Sequence, residues 1–190
     1  MRCFTLLRVE DRRHATHLAE HWPTHLLAVV DHADAAVLPR WQRVVRHVEV
    51  CSDLTDASQQ RAPTVEQASR IVGFARHLGT TDRLLVHCAG GISRSSAAAM
   101  MVWATQGRDP SAALRNVIRL RGRADPNPLM LQHADLLLHG GEPRLLAVWW
   151  GWVSSAYRQV PDVRSALAEV SGWTPQDWTA RIRSTPGRNR

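Results

Sequence analysis

The sequence has no lysine: all 24 residues of the Lys/Arg class are arginine, against 17 acidic side chains, for a formal net charge of +7. Two readings of that imbalance stand together. One is the compositional bias of a GC-rich coding sequence; the other is a positive field that draws anionic or phosphorylated partners. Cysteine is almost as scarce. Three in 190 residues, in no spaced pattern, exclude a disulfide framework and point to a reducing compartment, the cytoplasm. The ten histidines form no ligand pattern; His14 and His17 share a helical face without a third ligand, so no metal and no cofactor is expected. No apolar run is long enough to span a membrane, and Met1–Arg8 is too short for a signal peptide before the charges at Glu10–Arg13. A hydrophobic content of 44% with mixed charge argues against disorder.

What is present is concentrated in Val86-His87-Cys88-Ala89-Gly90-Gly91-Ile92-Ser93-Arg94-Ser95. Leu84-Leu85-Val86 closes an apolar run that reads as a buried strand, and Ser96–Trp103 reads as a small-residue helix packed in the core. A strand, a glycine-bearing turn and a helix N-terminus make an anion site, because the unpaired amide N–H groups point into the turn. Gly90 and Gly91 let the backbone curl around a phosphoryl group. Arg94 supplies a planar fork of donors for two phosphate oxygens. Cys88 sits at the floor, where the helix dipole and the arginine favour the nucleophilic thiolate. Ala89, Gly90, Gly91, Ile92, Ser93 and Arg94 are therefore the expected substrate-binding residues.

Chance does not supply this pattern. With three Cys and 24 Arg, a cysteine followed six residues later by an arginine arises about one time in three. Cys3 and Cys51 lack the partner, Val9 and Ala57 standing there instead. Adding His87, Gly91, Ser93 and Ser95 at fixed offsets lowers the odds to roughly one in a few hundred thousand.

His-Cys-x-x-Gly-x-Ser-Arg-Ser resembles the signature loop of the cysteine-based protein tyrosine phosphatases, most of all the compact dual-specificity type and small bacterial tyrosine-phosphatase-like proteins. The resemblance covers about residues 1–139. It implies an α/β fold with a central, mostly parallel sheet flanked by helices, no metal, and phosphomonoester hydrolysis through a phosphocysteine intermediate. The substrates it implies are phosphotyrosine and also phosphoserine or phosphothreonine, carried on a protein or peptide. By the same resemblance Cys88 attacks, Arg94 clamps the phosphoryl oxygens, Ser95 assists departure of the sulfur, and His87 orients the loop and keeps the thiol acidic.

The leaving oxygen needs a proton, and a carboxylic acid on a nearby loop is the usual donor. In the resembling family that acid precedes the nucleophile by thirty to forty residues, a range that holds both Asp53 and Asp56. Asp53-Leu54 fits the pattern of the small bacterial relatives better, with Asp56 as the alternative and Asp34 a distant third. Cys51 is a strand-end cysteine, or a disulfide partner that would shield Cys88 from over-oxidation if its loop closes over the site. Further on, Arg121–Pro128 resembles the family's Arg-Pro-x-x-x-Pro-Asn segment, with Gly122 in place of the first proline and Asn127 as a supporting residue. Arg115, Arg119, Arg121 and Arg123 read in part as a solvated face, with some available to a second phosphate.

The remaining elements follow from periodicity and punctuation. Cys3–Leu7, His25–Val30 and Val44–Val50 read as strands, Glu10–Glu20 as a helix and Asp31–Pro39 as a loop. Thr64 and Gln67 form a capping box that opens a helix with Val65, Ala68, Ile71, Val72, Ala75 and Leu78 inward, ended by Gly79. Asp109-Pro110 opens another, and Leu129–Leu138 is the closing helix of the catalytic domain. Residues 140–190 are expected to be a tryptophan-rich helical C-terminal extension, with Leu145, Trp149, Trp152, Val153 and Tyr157 at helical spacing. Restarts are expected at Pro161-Asp162 and Thr174-Pro175, with Trp173 and Trp178 nearby and disorder over Ser184–Arg190. Other activities open to the same loop are RNA 5′-phosphatase and phosphoinositide phosphatase, although the latter usually carries lysine in the loop. A catalytically silent phospho-binding module is the non-enzymatic reading. The arginine content alone, without a recognisable motif, does not make a nucleic-acid binder, and the oligomeric state is open.

Overall fold

The structure, a computed structural model, describes residues 6–35, 38 and 43–157. Four strands, β1 (Leu6–Asp11), β2 (His25–Val30), β3 (Val45–Val50) and β4 (Arg83–Cys88), pair in the order β1-β4-β2-β3, and every pairing is parallel. Seven helices accompany them among the described residues: α1 (Arg12–Leu18), α2 (His32–Ala35), α3 (Val65–Arg76), α4 (Arg94–Thr105), α5 (Pro110–Leu120), α6 (Pro128–His139) and α7 (Arg144–Tyr157).

A parallel sheet needs cover on both faces, and the two inner strands show why their sequences run apolar without alternation. Leu26 and Leu85 point to one face, where Ala15 and Ala19 of the α1 region meet them. Their neighbours Leu27, Val29, Leu84 and Val86 point to the other face, into the large core shared with α3 to α7. Each leucine buried on either face contributes about 1.5–3 kcal/mol. α4 crosses the middle of that core, buried along its whole run from Arg94 to Trp103. Ala97, Ala98 and Ala99 have no bulk to hold the helix away from the sheet, so its N-terminus stands over the end of β4.

The capping box forms as the sequence predicts, Gln67 N donating to Thr64 Oγ1 and Thr64 N to Gln67 Oε1. Asp109 caps α5 with Pro110 in the first turn. The first strand differs from the expectation of Cys3–Leu7. It runs Leu6–Asp11, because pairing with β4 carries it in register as far as Cys88, with Leu7 and Val9 inward. The expected helix over Glu10–Glu20 is shortened in consequence: Asp11 ends the strand and caps α1 by accepting from His14 N. A four-residue helix, α2, occupies part of the expected Asp31–Pro39 loop. α3 ends at Arg76, before Gly79.

α7 packs on the large core, with Leu145, Leu146 and Trp149 buried and Trp152 and Val153 half-buried against it. Its first turn is tied to α6 by the buried Asp135, whose carboxylate accepts from Leu145 N and Leu146 N, each at 2.9 Å. The expectations for Cys3, Pro161-Asp162, Trp173, Thr174-Pro175, Trp178 and Ser184–Arg190 lie outside the described residues. No helix among the described residues is long and apolar enough to cross a membrane.

Candidate active site

All four strands point their C-terminal ends at one edge of the sheet, and the Cys88–Ser95 turn closes over that edge. Cys88 is the last residue of β4 and Arg94 the first of α4. Gly91 alone of the two loop glycines needs to be glycine. Its φ is +66°, and a Cβ there would meet Asp11 N at 2.6 Å and the Glu10 carbonyl carbon and oxygen at 2.7 and 2.8 Å. At Gly90 a Cβ would touch only the Ile92 side chain, at 3.6 Å.

The hydrogen bonds of this turn divide cleanly. Every carbonyl from Ala89 to Ser93 has a donor. Arg12 N serves Ala89 at 3.2 Å, the Arg121 guanidinium serves Gly90 and Gly91, Asp125 N serves Ile92 at 3.0 Å, and Ala97 N and Asn127 N serve Ser93. Among the described residues, no backbone N–H from Ala89 to Ser96 donates to anything. In a trans peptide the C=O and the following N–H point in opposite directions. Carbonyls drawn outward therefore leave the amides of residues 90–94 turned to the inside of the loop. A run of unpaired inward donors is an anion nest.

Cys88 lies at the floor, 3% exposed, with its Sγ 3.1 Å from Ser95 Oγ. Arg94 is 4% exposed. Its Nη1 donates to the Cys51 carbonyl at 2.6 Å and its Nη2 to Asp31 Oδ2 at 2.9 Å, which anchors the guanidinium. Two of the five guanidinium donors are thereby engaged, and the buried Nε–H has no partner. Burial works to lower the Arg94 pKa, but the negative charges of Asp31 and Cys88 more than offset it and hold the group firmly cationic. His87 is 1% exposed, and neither ring nitrogen makes a hydrogen bond. Desolvation pulls its pKa below the usual histidine value, against a smaller opposing pull from the Cys88 backbone, so the ring is buried and neutral, without the side-chain hydrogen bond through which it would orient the loop.

The two candidate acids separate. Asp53 Oδ1 accepts from Ser93 Oγ at 2.7 Å and from Asn127 Nδ2 at 2.8 Å, while Oδ2 is left free of hydrogen bonds among the described residues. Ser93 gives its hydroxyl to this bond and none to the helix it precedes. Asn127 does double duty, capping α6 through Oδ1 to Met130 N and holding the acid loop through Nδ2 to Asp53 and the Leu54 carbonyl. Asp56 turns back on its own loop, accepting from Ser58 N and Ser58 Oγ, and these bonds lower its pKa. Asp34 pairs with Arg12. Cys51 is buried and free, its thiol pushed up to about 12 by burial.

Sequence reasoning missed Asp31 and the Cys51 carbonyl, and it left Arg121 among a solvated face or second-phosphate contacts, where the structure puts it on the Gly90 and Gly91 carbonyls. Asp31 had a signal, an acid placed directly after the apolar run Leu26–Val30 and so at the C-terminal edge of the sheet. The Cys51 carbonyl had none, since a backbone acceptor carries no residue identity.

No family model matches the sequence, and no curated protein does. Solved structures do resemble it. Human DUSP28 superposes with a TM-score of 0.55 at 18% identity, over 70% of this chain and 88% of that one. DUSP15 gives 0.53 at 18% identity, over 80% and 92%. PTPMT1 in complex with PI(5)P gives 0.50 at 14% identity, over 80% and 94%. The chain thus has the α/β fold of the dual-specificity and tyrosine phosphatases, which is the fold that its signature loop implies.

Proposed function

We propose that this chain is a cysteine-dependent phosphomonoesterase, acting on phosphotyrosine and also on phosphoserine or phosphothreonine of a protein or peptide. The observation that carries the reading is the divided hydrogen bonding of residues 89–96: outward carbonyls all satisfied, inward amides all free, with the unpartnered Arg94 Nε–H beside them. Buried donors without acceptors are costly unless a ligand completes them. A phosphoryl group, dianionic and three-fold in oxygen, is the ligand that such a ring suits.

The Cys88 thiolate attacks phosphorus, the bond to the leaving oxygen breaks, and that oxygen takes its electron pair and the proton on Asp53 Oδ2. Amides of the loop and Arg94 hold the three equatorial oxygens throughout, where charge is spread in the transition state. Water then attacks the phosphocysteine and gives its proton to Asp53. The sulfur leaves as thiolate, stabilised by the hydroxyl of Ser95 3.1 Å away. No metal is required for either step. Such a thiolate persists in a reducing compartment, which fits a cytoplasmic enzyme.

The test is turnover of a small aryl phosphate. Cys88→Ser should abolish it while tungstate still binds, and Asp53→Asn should lower kcat on a phosphopeptide by about 10²-fold. Asp56→Asn should change little. Turnover by Cys88→Ser comparable to wild type would remove the cysteine from the mechanism, and a larger loss in Asp56→Asn than in Asp53→Asn would move the acid. A panel of phosphotyrosine peptide, phosphoserine peptide, phosphoinositide and RNA 5′-triphosphate ranks the substrates, and preference for either of the last two would replace the protein reading.

A further inference from the structure

A nest that turns its amides inward has to dispose of its carbonyls, and at the exposed Gly90 and the buried Gly91 the backbone does not provide the donors. Arg121 does. Its Nε donates to the Gly91 carbonyl at 3.2 Å and its Nη2 to the Gly90 carbonyl at 3.4 Å. The same guanidinium pairs with Glu10 Oε2 at 3.2 Å and stands 3.8 Å from Asp11 Oδ2, both at the end of β1. That is also the segment against which Gly91 packs too closely to admit a Cβ. One planar cation thus bolts the crown of the loop to the neighbouring strand from outside. Its side chain is 25% exposed, and its fork is already spread over two carbonyls and a carboxylate.

We infer that Arg121 is a positioning residue for the phosphate-binding loop: it fixes the Gly90–Gly91 and Gly91–Ile92 peptides so that the amides of Gly91 and Ile92 stay turned to the substrate, with Glu10 as its anchor. The inference rests on the phosphatase reading and adds a residue that reaches the phosphoryl group only through the loop. It also gives Glu10 and Asp11 a function. With His14 they form a cluster of ligand-type atoms, but Arg121 already supplies the positive charge there.

Tungstate binding and aryl phosphate kinetics test it on the full chain. Arg121→Ala should weaken tungstate binding and raise KM in parallel, each by about 10–100-fold, with a smaller fall in kcat, because loop amides bind ground and transition state alike. Arg121→Lys should recover little, since a point ammonium does not span two carbonyls and a carboxylate. Glu10→Gln, which keeps the side-chain volume, should weaken tungstate binding severalfold. It carries the test if Arg121→Ala does not fold. Wild-type tungstate affinity and aryl phosphate KM in Arg121→Ala and Glu10→Gln would overturn the inference. So would a loss in Arg121→Ala confined to doubly phosphorylated peptides, which would make Arg121 a contact for a second phosphate. A wild-type chain that neither binds tungstate nor turns over aryl phosphate would instead sink the phosphatase reading itself, and the positioning role with it.

Discussion

Replacing Gly91 by alanine should do damage that the same change at Gly90 does not, and the structure gives the size of the difference. Residue 91 sits at φ +66°, where any L side chain is strained by roughly 1–2 kcal/mol. The added Cβ would also lie 2.6 Å from Asp11 N and 2.7–2.8 Å from the Glu10 carbonyl. These are backbone atoms of a strand held in register with β4, so they do not rotate away. Ordinary van der Waals contact begins at 3.4 Å, so the 2.6 Å approach has to open by about 0.8 Å. Overpacking of this kind costs a further 1–3 kcal/mol or so. The total, about 2–5 kcal/mol, is a large share of the roughly 5–15 kcal/mol that holds a domain folded. A loop displaced by nearly an ångström should also lose about 10²-fold in kcat/KM. At Gly90 the nearest atoms to a Cβ are Ile92 side-chain carbons at 3.6 and 3.8 Å, with no positive φ to maintain. Gly90→Ala should stay within ~0.5 kcal/mol of wild type in denaturant melts, and its kcat/KM should stay within about twofold, an activation free-energy change of ~0.5 kcal/mol or less. Denaturant unfolding and aryl phosphate kinetics on both variants decide it. Equal losses in the two, or a Gly91→Ala chain as stable and active as wild type, would refute the claim that β1 sets the height of the loop.

Two further outcomes follow from groups outside the loop. Glu49 is 2% exposed on β3; burial alone would raise its pKa, but bonds from His47 Nε2 (2.8 Å) and from Arg70 Nε and Nη2 (2.9 and 2.7 Å) outweigh it and hold the carboxyl below 4.5. A carboxylate depressed in the folded chain contributes stability above its unfolded pKa and loses it as pH falls through the folded one. Unfolding free energy should therefore drop as pH is lowered below about 4.5. Glu49→Gln should lose about 2 kcal/mol at neutral pH and flatten that acid slope, and an unchanged slope would refute the assignment. Cys51, raised to about 12 by burial, should resist iodoacetamide at pH 8 in the folded chain and react only once denatured. Peptide mapping by mass spectrometry reads this site by site, and labelling of native Cys51 at the denatured rate would show that its burial is wrong.

Local grammar made much of this molecule legible. β2 could be bounded in the sequence because an apolar run ends sharply at Asp31, and the Thr64/Gln67 and Asp109-Pro110 caps are written in adjacent residues whose chemistry does not depend on the rest of the fold. The cysteine loop was legible for the same reason: its chemistry is local. β1 was not, because Glu10 and Asp11 look like the start of a helix until β4 is there to pair with them. The sequence favoured Asp53 over Asp56 only by analogy, and the packing of Asn127 and Ser93 onto Asp53 is the support the structure adds to that proposal. Arg121 was lost among the neighbouring arginines, since what distinguishes it from Arg119, which among the described residues reaches Asn116, is a pair of carbonyls thirty residues away. The signal that would have found it is the requirement that outward carbonyls need donors, applied to the loop before the donors are known.

That requirement explains why the site stands where it does. Parallel strands deliver all their C-terminal ends to one edge, and here each end supplies a different part. β4 ends in Cys88, the proposed nucleophile. β1 ends in Glu10 and Asp11, which anchor Arg121, and in the Arg12 amide that takes the Ala89 carbonyl. β2 runs into Asp31, and β3 into the Cys51 carbonyl, so the two together fix Arg94 with its Nε–H unspent. Two residues past that carbonyl comes Asp53, bonded to the loop it is proposed to serve. An antiparallel sheet would have sent half of these ends to the far side. The strand order β1-β4-β2-β3, with the strand of Cys88 between the one that carries Glu10 and the one that runs into Asp31, lets one carboxylate hold the loop from outside and another hold the arginine within it.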